Sequence, residues 1–412
     1  MYRTASWEIR QVIAASRRTA NFDYAIRSLV SAARALEREG QEVTYLNIGD
    51  PQAFGFRPPD HIIDPVQRAL KDRFTGYAPS AGLPEAREAI ASYATGLGAP
   101  TTPEDVVVTS GASEAADLAL TALVNSGDEV LIPAPGYPLY PAILSKLGAD
   151  ARPYRLDPEQ GWEPSLADVR SLINKRTRAL VLINPNNPTG SVTTNRTTYA
   201  LLKLAAEHKL PVISDEVYRD LCFQEAPTSA SVLAGATTTS VITLESLSKT
   251  HMVPGWRVGW MRFTNPDRMP DVVKAINKLA SGRLCSPTPA QYAVRPALEG
   301  SKEFLGTFIE EMRKRRDYAT GRVKAIAGLS SDKPAAAFYL MIKVDELGGK
   351  TDERFVLNLL EKTRVLVVHG SGFGMDPFEG YFRLVYLANE EILERTFDAL
   401  EKLMRKGVLV GS

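Results

Sequence analysis

The sequence predicts an α/β fold in which helices cover both faces of a large, mostly parallel sheet and a smaller α+β domain completes the chain. Three observations lead to this fold class. Short β-branched runs alternate with helical patterns from about residue 105, polar residues stand directly after those runs, and the C-terminal part mixes strands with amphipathic helices. Such alternation is typical of a parallel sheet whose crossover helices lie on both faces.

The predicted strands of the large sheet are five apolar runs at residues 106–109, 129–135, 179–185, 211–216 and 240–246. Between the first two, Leu118, Leu120 and Leu123 are spaced as on one face of a helix that Gly127 ends. Residues 199–210 have a second amphipathic pattern. Both stretches are therefore predicted to be crossover helices.

The C-terminal part has a different order of elements. Strands are predicted in "AAAFYLMIKVDEL", "TRVLVVHG" and "GYFRLVYL", with a helix in "ERFVLNLLEKT" and an Asn-capped helix in "NEEILERTFDALEKLM". We therefore predict three parts. Residues 1–58 form an N-terminal arm with a first helix and part of a small domain, residues 59–300 form a large cofactor-binding domain, and residues 301–412 form the rest of the small domain.

Composition excludes several classes of function. The chain has 412 residues, of which 44% are hydrophobic, enough for a large buried core. Its 49 basic and 48 acidic side chains are mixed and leave a net charge of +1, which argues against a nucleic-acid or membrane partner. With only Cys222, Cys285 and four scattered histidines, we expect no disulfide framework and no metal site. A cytoplasmic protein fits this composition.

The residues after the predicted strands are candidates for a ligand site, because the crevice of an open parallel sheet lies at the carboxyl ends of its strands. Gly111, Ala112 and Ser113 form a small turn that opens a helix. Free N–H groups and the helix dipole at such a turn suit a phosphate, although the same pattern also occurs as a simple helix cap.

Lys249 lies in the polar loop "ESLSKTHMVPGWRVGW", near Arg257 and walled by Tyr137. Partial desolvation and a neighbouring cation lower the pKa of an amine and expose the neutral form, which condenses with aldehydes. Pyridoxal 5′-phosphate is an aldehyde cofactor that also carries a phosphate, and its ring nitrogen needs a carboxylate partner. Asp215, at the end of its own strand, supplies one.

With these residues in order, the chain resembles the fold-type-I, class I/II pyridoxal-phosphate-dependent aminotransferases, from "LNIGDP" at residue 46 to "FRLVYL" at residue 382. The resemblance implies that Lys249 in "SLSK" binds the cofactor and later shuttles a proton. It implies that Asp215 pairs with the ring nitrogen, and that Tyr218 and Asn187 contact the ring 3-hydroxyl. The other asparagines of "NPNNPTG", at 184 and 186, are expected to bond the loop's own backbone.

The resemblance implies roles for further cofactor-binding residues. Tyr137 would stack on the ring, while Ser246, Arg257 and the amides of Gly111 to Ser113 would hold the phosphate. Tyr77 in "GYAPSAGLPEAREAI" would reach the phosphate from a second subunit. A homodimer with shared active sites is therefore implied.

On the substrate side, Arg383 matches the family arginine that clamps the α-carboxylate, a task suited to a planar bidentate donor. Gly49 would add a backbone amide to that carboxylate, and the resemblance implies that Asn187 also binds the substrate. Arg283 is a candidate for the distal carboxylate of 2-oxoglutarate or glutamate, or else an arginine at a subunit contact.

The implied reaction is a ping-pong exchange of an amino group between an amino acid and a 2-oxo acid. Residues 24–62 and 282–293 resemble the alanine aminotransferase group, so we expect alanine as the amino acid. An aspartate or aromatic aminotransferase and a cysteine-conjugate β-lyase stay open as alternatives on the same fold. A cofactor-binding regulator without turnover is a further alternative.

Overall fold

The computed structural model describes residues 13–16 and 29–405, so the first helix predicted within the N-terminal arm lies outside the described residues. Its strands are β1 Thr44–Tyr45, β2 Val106–Thr109, β3 Glu129–Ala134, β4 Asp150–Asp157, β5 Glu163–Pro164, β6 Thr177–Ile183, β7 Val212–Asp215, β8 Val241–Ser246, β9 Gly259–Thr264, β10 Leu329–Ser330, β11 Tyr339–Val344, β12 Val365–Leu366, β13 Val368–His369 and β14 Tyr381–Val385.

Eight of these strands form the large sheet, in the order β2-β9-β8-β7-β6-β3-β4-β5. The neighbours β4, β3, β6, β7 and β8 are mutually parallel, which confirms the predicted mostly parallel sheet. The five predicted strands are all present, as β2, β3, β6, β7 and β8. β9 enters antiparallel between β8 and β2. The carboxyl ends of β6, β7 and β8 consequently meet at one edge.

The α-helices with described bounds are Val30–Arg38, Asp60–Lys71, Pro84–Gly96, Ala112–Leu123, Leu139–Leu147, Leu166–Leu172, Asn195–Glu207, Ala230–Ala234, Leu247–Thr250, Pro270–Gly282, Thr288–Gln291, Val294–Glu299, Glu303–Ala325, Asp352–Thr363 and Glu390–Arg405. Both predicted crossover helices are present. The predicted cap of the last helix is also present, because Asn389 Oδ1 accepts a hydrogen bond from the Ile392 amide at 3.0 Å. No helix among the described residues is both long and apolar enough to cross a bilayer.

The central strands are apolar throughout because both of their faces are buried. On β6, Val181 packs into a cluster with the helix Ala112–Leu123, while its neighbours Leu180 and Leu182 pack with the helix Asn195–Glu207 on the opposite face. Burial of apolar side chains on alternating faces explains why these runs show no polar alternation. It also fixes which residues project beyond the strand ends.

The C-terminal strands form a second sheet in the antiparallel order β10-β11-β14-β13. The N-terminal segment joins this part of the chain, because β1 pairs in parallel with β12 and the Leu46 amide donates to Leu366 O at 2.9 Å. Leu46 lies in one buried cluster with Leu366 and Phe397. The domain borders expected at residues 58 and 300 stay a prediction.

Candidate active site

A cavity of about 760 Å³ opens at the edge where three parallel strands end. Ile183, Asp215 and Ser246, the last residues of β6, β7 and β8, all line it. The predicted site residues that line it are Gly49, Ala112, Ser113, Tyr137, Asn187, Asp215, Tyr218, Ser246, Lys249, Arg257 and Arg383. The fold therefore brings together residues that are widely spaced in the sequence.

Lys249 presents its amine to this cavity from the short helix that follows β8. Its Nζ donates to the backbone carbonyl of Gly49 at 2.6 Å. Burial lowers the pKa of the amine from its ordinary 10.5 to about 8; Asp50 opposes this shift, and the charges of Arg383 and Arg257 add to it. A substantial fraction of Lys249 is therefore neutral, and nucleophilic, in mildly alkaline solution.

Asp215 is a buried carboxyl at the end of β7. Burial raises its pKa from 3.8 to about 6, a shift that Glu216 increases and that two hydrogen bonds limit. The Tyr140 hydroxyl donates to Oδ2 at 2.8 Å, and the Val217 amide donates to Oδ1 at 3.3 Å. A carboxylate in this position can pair with a cationic group inside the cavity.

The three asparagines of the loop "NPNNPTG" have two different roles, since two bond to backbone and one lines the cavity. Asn184 bonds the backbone of Thr193 through both ends of its amide, at 3.1 and 3.0 Å. Asn186 Oδ1 accepts from the Thr189 amide at 3.2 Å. Asn187 alone of the three lines the cavity, as expected. The first two asparagines hold the loop in the shape that aims the third.

Arg383 is buried in the wall of the cavity, with 1% of its surface exposed. Its Nη1 donates to Asn187 Oδ1 at 2.7 Å, and Nη2 donates to the carbonyl of Asn47. The guanidinium lies over the rings of Tyr339, at 4.5 Å, and Phe373, at 4.7 Å. Contacts on its edge and faces fix this cation, which suits bidentate binding of a carboxylate.

An anion cradle forms around the N-terminus of the helix Ala112–Leu123. Gly111 adopts a φ of 78°, and a Cβ there would lie 2.4 Å from Arg257 Nη2, so only glycine allows this approach. Arg257 Nη2 donates to Ser110 O at 2.8 Å, which holds the guanidinium beside the helix. The first N–H groups of the helix have no intrahelical acceptor, so helix and cation together suit a phosphate.

Three predicted site residues do not line the cavity formed by their own chain. Gly111 lies beside it, against Arg257. Tyr77 is 82% exposed. Arg283 donates to Ser80 O at 3.1 Å and Val108 O at 2.7 Å, and it pairs with Glu114 at 3.2 Å. Backbone carbonyls and Glu114 hold the guanidinium of Arg283 outside the cavity of its own chain, and its role at a distal carboxylate stays a prediction.

Sequence reasoning missed three residues at or beside the cavity. Asp50 follows Gly49 in "LNIGDP", and Tyr140 follows Tyr137 by three positions, so both stand close to predicted site residues. Tyr339 stands in a predicted strand, and its hydroxyl lies 2.6 Å from that of Tyr218. The signal that could have found Tyr339 is a polar-tipped side chain in an otherwise apolar run. Within the described ranges, no cluster of three His, Cys, Asp or Glu side chains could hold a metal.

Comparisons with known proteins agree with this geometry. A family model described as aminotransferase class I and II matches residues 41–400. The glutamate-pyruvate aminotransferase AlaA of Haemophilus influenzae is 37% identical over 395 residues, covering 93% of this chain and 95% of that protein. An alanine aminotransferase of Mycobacterium bovis is 37% identical over 394 residues, covering 94% and 91%. A solved alanine aminotransferase from Pyrococcus furiosus superposes with a TM-score of 0.92 at 40% identity, covering 95% and 100%.

Proposed function

This chain belongs to the class I and II aminotransferases, and on that premise we propose that it exchanges an amino group between alanine and 2-oxoglutarate, giving pyruvate and glutamate. Relatives named for glutamate–pyruvate and alanine transamination support this pair of substrates over aspartate or aromatic ones. The observation that carries the proposal is the Lys249 amine, whose pKa of about 8 suits it to covalent and proton chemistry inside the cavity.

The family generally depends on pyridoxal 5′-phosphate, and the residues present fit that cofactor. Arg257 and the helix that begins at Ala112 provide the cradle for its phosphate. Asp215 provides the carboxylate for its ring nitrogen. Tyr137 and Lys249 line the same cavity, where the ring and the aldehyde would lie. When bound, the cofactor would supply an aldehyde that holds the amino group and a ring that withdraws electrons from the substrate Cα.

The chain's own residues hold the other end of the substrate. Arg383 binds the α-carboxylate with its guanidinium, which the rings of Tyr339 and Phe373 keep in place. Asn187 reaches the same guanidinium with its side-chain oxygen and orients it. Since the carboxylate is fixed and the amino group is held, the Cα–H bond has a defined direction relative to the lysine.

Lys249 moves the proton. Its neutral Nζ takes the proton from the substrate Cα and becomes an ammonium. The ammonium then acts as the acid that returns a proton later in the reaction, which restores the neutral amine. A pKa of about 8 makes both forms of the amine accessible near neutral pH, which is the condition for an efficient proton shuttle. The Gly49 carbonyl, 2.6 Å from Nζ, holds the amine when it is not engaged.

We also propose a homodimer in which Tyr77 of each chain completes the other chain's phosphate site. The exposure of this tyrosine in the single chain supports that role. Leu70 and Phe74, on and just after the helix Asp60–Lys71, are exposed as well, and aromatic and aliphatic side chains of this kind are buried where subunits meet.

The test is a labelling and turnover experiment. The purified chain is loaded with pyridoxal 5′-phosphate, reduced with borohydride and digested, and the modified lysine is identified by mass spectrometry. We expect the label on Lys249, and transamination to fall by about 10²–10⁴-fold in Lys249→Ala. Lys302→Ala is the matched control, because burial also lowers the pKa of that amine and it also donates to a backbone carbonyl, outside the cavity.

The substrate assignment is tested separately with a panel of amino acids and 2-oxoglutarate. Alanine and glutamate are expected among the best donors. Preference for aspartate or phenylalanine would contradict the substrate pair but leave the cofactor site intact. Steady release of pyruvate and ammonia from one amino acid, without an oxo-acid acceptor, would instead indicate a β-lyase. A wild-type chain that takes up no cofactor would overturn the proposal as a whole.

A further inference from the structure

Tyr140 is a buried tyrosine beside the site that the proposed reaction does not use. It lies in the first turn of the helix Leu139–Leu147, with 1% of its surface exposed. Its hydroxyl donates to Asp215 Oδ2 at 2.8 Å across 75 positions of sequence. A hydrogen bond to one oxygen of a carboxylate favours the ionised form and restricts its rotation.

The surroundings of Asp215 otherwise oppose ionisation. Burial raises the pKa of its carboxyl, and the neighbouring acid Glu216 raises it further. Among the described residues, the hydrogen-bond donors that lower this pKa are the Tyr140 hydroxyl and the Val217 amide. The titratable and charged groups that face Asp215 or share its cavity are Asp50, Tyr137, Tyr140, Glu216, Tyr218, Lys249, Arg257, Tyr339 and Arg383.

We propose that Tyr140 is a positioning residue: its hydroxyl keeps Asp215 ionised and fixed, so that the cavity presents a carboxylate, not a neutral acid, to a cationic ring nitrogen. This inference rests on the proposed function for the identity of that nitrogen. The contact between Tyr140 and Asp215 does not depend on it.

The chain offers a matched control in Tyr154. Its hydroxyl is equally buried and donates at the same distance, 2.8 Å, but to the backbone carbonyl of Val181. Tyr140→Phe and Tyr154→Phe therefore each remove one buried hydroxyl and one hydrogen bond of equal length. Only the first removes a bond to a carboxylate, so a difference between the variants reports on the charge of Asp215.

The first experiment follows the Asp215 carboxyl by ¹³C NMR in the full chain without cofactor, with the signal assigned by its loss in Asp215→Asn. We expect a midpoint near pH 6 in the wild type and in Tyr154→Phe. In Tyr140→Phe the ratio of carboxylate to acid at a given pH should fall by about tenfold, because the variant loses one hydrogen bond to a charged group and such a bond stabilises the charge by about that factor. An unchanged midpoint in Tyr140→Phe would overturn the proposal.

A second readout needs no variant. Because the two groups share a hydrogen bond, the ¹³Cζ signal of Tyr140 in the wild-type chain should titrate with the same midpoint as Asp215. A Tyr140 signal that stays constant while Asp215 titrates would overturn the proposal even if Tyr140→Phe does not fold.

The third readout is the affinity for pyridoxal 5′-phosphate as a function of pH. If only the ionised carboxyl accepts the cofactor, Tyr140→Phe binds about tenfold more weakly than wild type at pH 5.5 and within about twofold at pH 8.5. Tyr154→Phe should stay within about twofold throughout. A weakening in Tyr140→Phe that is the same at every pH would show a structural role only and would refute the inference. A wild type without affinity would refute the proposed function, while the NMR titration would still decide the role of Tyr140.

Discussion

Asp215→Asn should make the chain more stable when no cofactor is bound. The folded state holds the proton of this carboxyl more tightly than the unfolded chain does, because burial raises its pKa from 3.8 to about 6. Stability contributed by this group is therefore fully present below pH 3.8 and is lost as pH rises through about 6. An asparagine keeps partners for Tyr140 and Val217 but never has to ionise in a buried position.

The magnitude follows from that difference in pKa. It corresponds to about 3 kcal/mol at pH 8, which falls to about half at pH 5 where the folded carboxyl is mostly protonated. For a chain of this length, about 3 kcal/mol corresponds to a rise of about 3 °C in Tm.

The assay is thermal unfolding followed by circular dichroism at pH 5 and pH 8, with Asp64→Asn as a control on an exposed helical carboxyl. With saturating pyridoxal 5′-phosphate the wild type should instead have the higher Tm, since the asparagine of the variant cannot neutralise the ring nitrogen. The reasoning would be refuted if the cofactor-free Asp215→Asn chain were less stable than wild type at pH 8. It would also be refuted if the difference in Tm between variant and wild type were the same at pH 5 and pH 8.

Two further outcomes are expected. Gly111→Ala should weaken cofactor affinity, because its Cβ would lie 2.4 Å from Arg257, whereas Gly127→Ala, at a similar φ of 85° but with nothing within 4 Å, should not; equal losses would contradict the cradle. In the cofactor-free chain, the reaction of Lys249 with an amine reagent should have its midpoint near pH 8, and Asp50→Asn should move that midpoint to lower pH, because Asp50 raises the pKa; a midpoint that stays in place would contradict their coupling.

The sequence revealed the large sheet because its central strands are buried on both faces and appear as uninterrupted apolar runs. Val181 and Leu182 face opposite helices, yet both must be apolar. β9 was not among the predicted strands, and a sequence pattern carries no information on whether a strand pairs in parallel with its neighbours. Its antiparallel position between β2 and β8 depends on the polar loop that precedes it, which turns the chain back.

The candidate site was predictable where one residue type at one strand end has few other uses, as for Lys249 and Asp215. It was not predictable where a contact joins distant segments. The Lys249–Gly49 bond spans 200 positions, and the Tyr140–Asp215 bond spans 75. For Arg283 the charge made the residue a candidate, but its guanidinium donates to the Val108 carbonyl, outside the cavity of its own chain. Such contacts are set by how the helices pack on the sheet, which no local pattern encodes.

The pairing of β1 with β12 has a consequence for synthesis on the ribosome. Thr44 lies beside Val365, about 320 residues later in the chain. At about 5–20 residues per second, the N-terminal strand waits on the order of tens of seconds for its partner. During that interval Leu46 has no apolar neighbours from the C-terminal segment, whereas the strands of the large sheet can already assemble. The nascent chain is therefore expected to expose the short apolar segment around Leu46 until residues 365 and 366 have been synthesised.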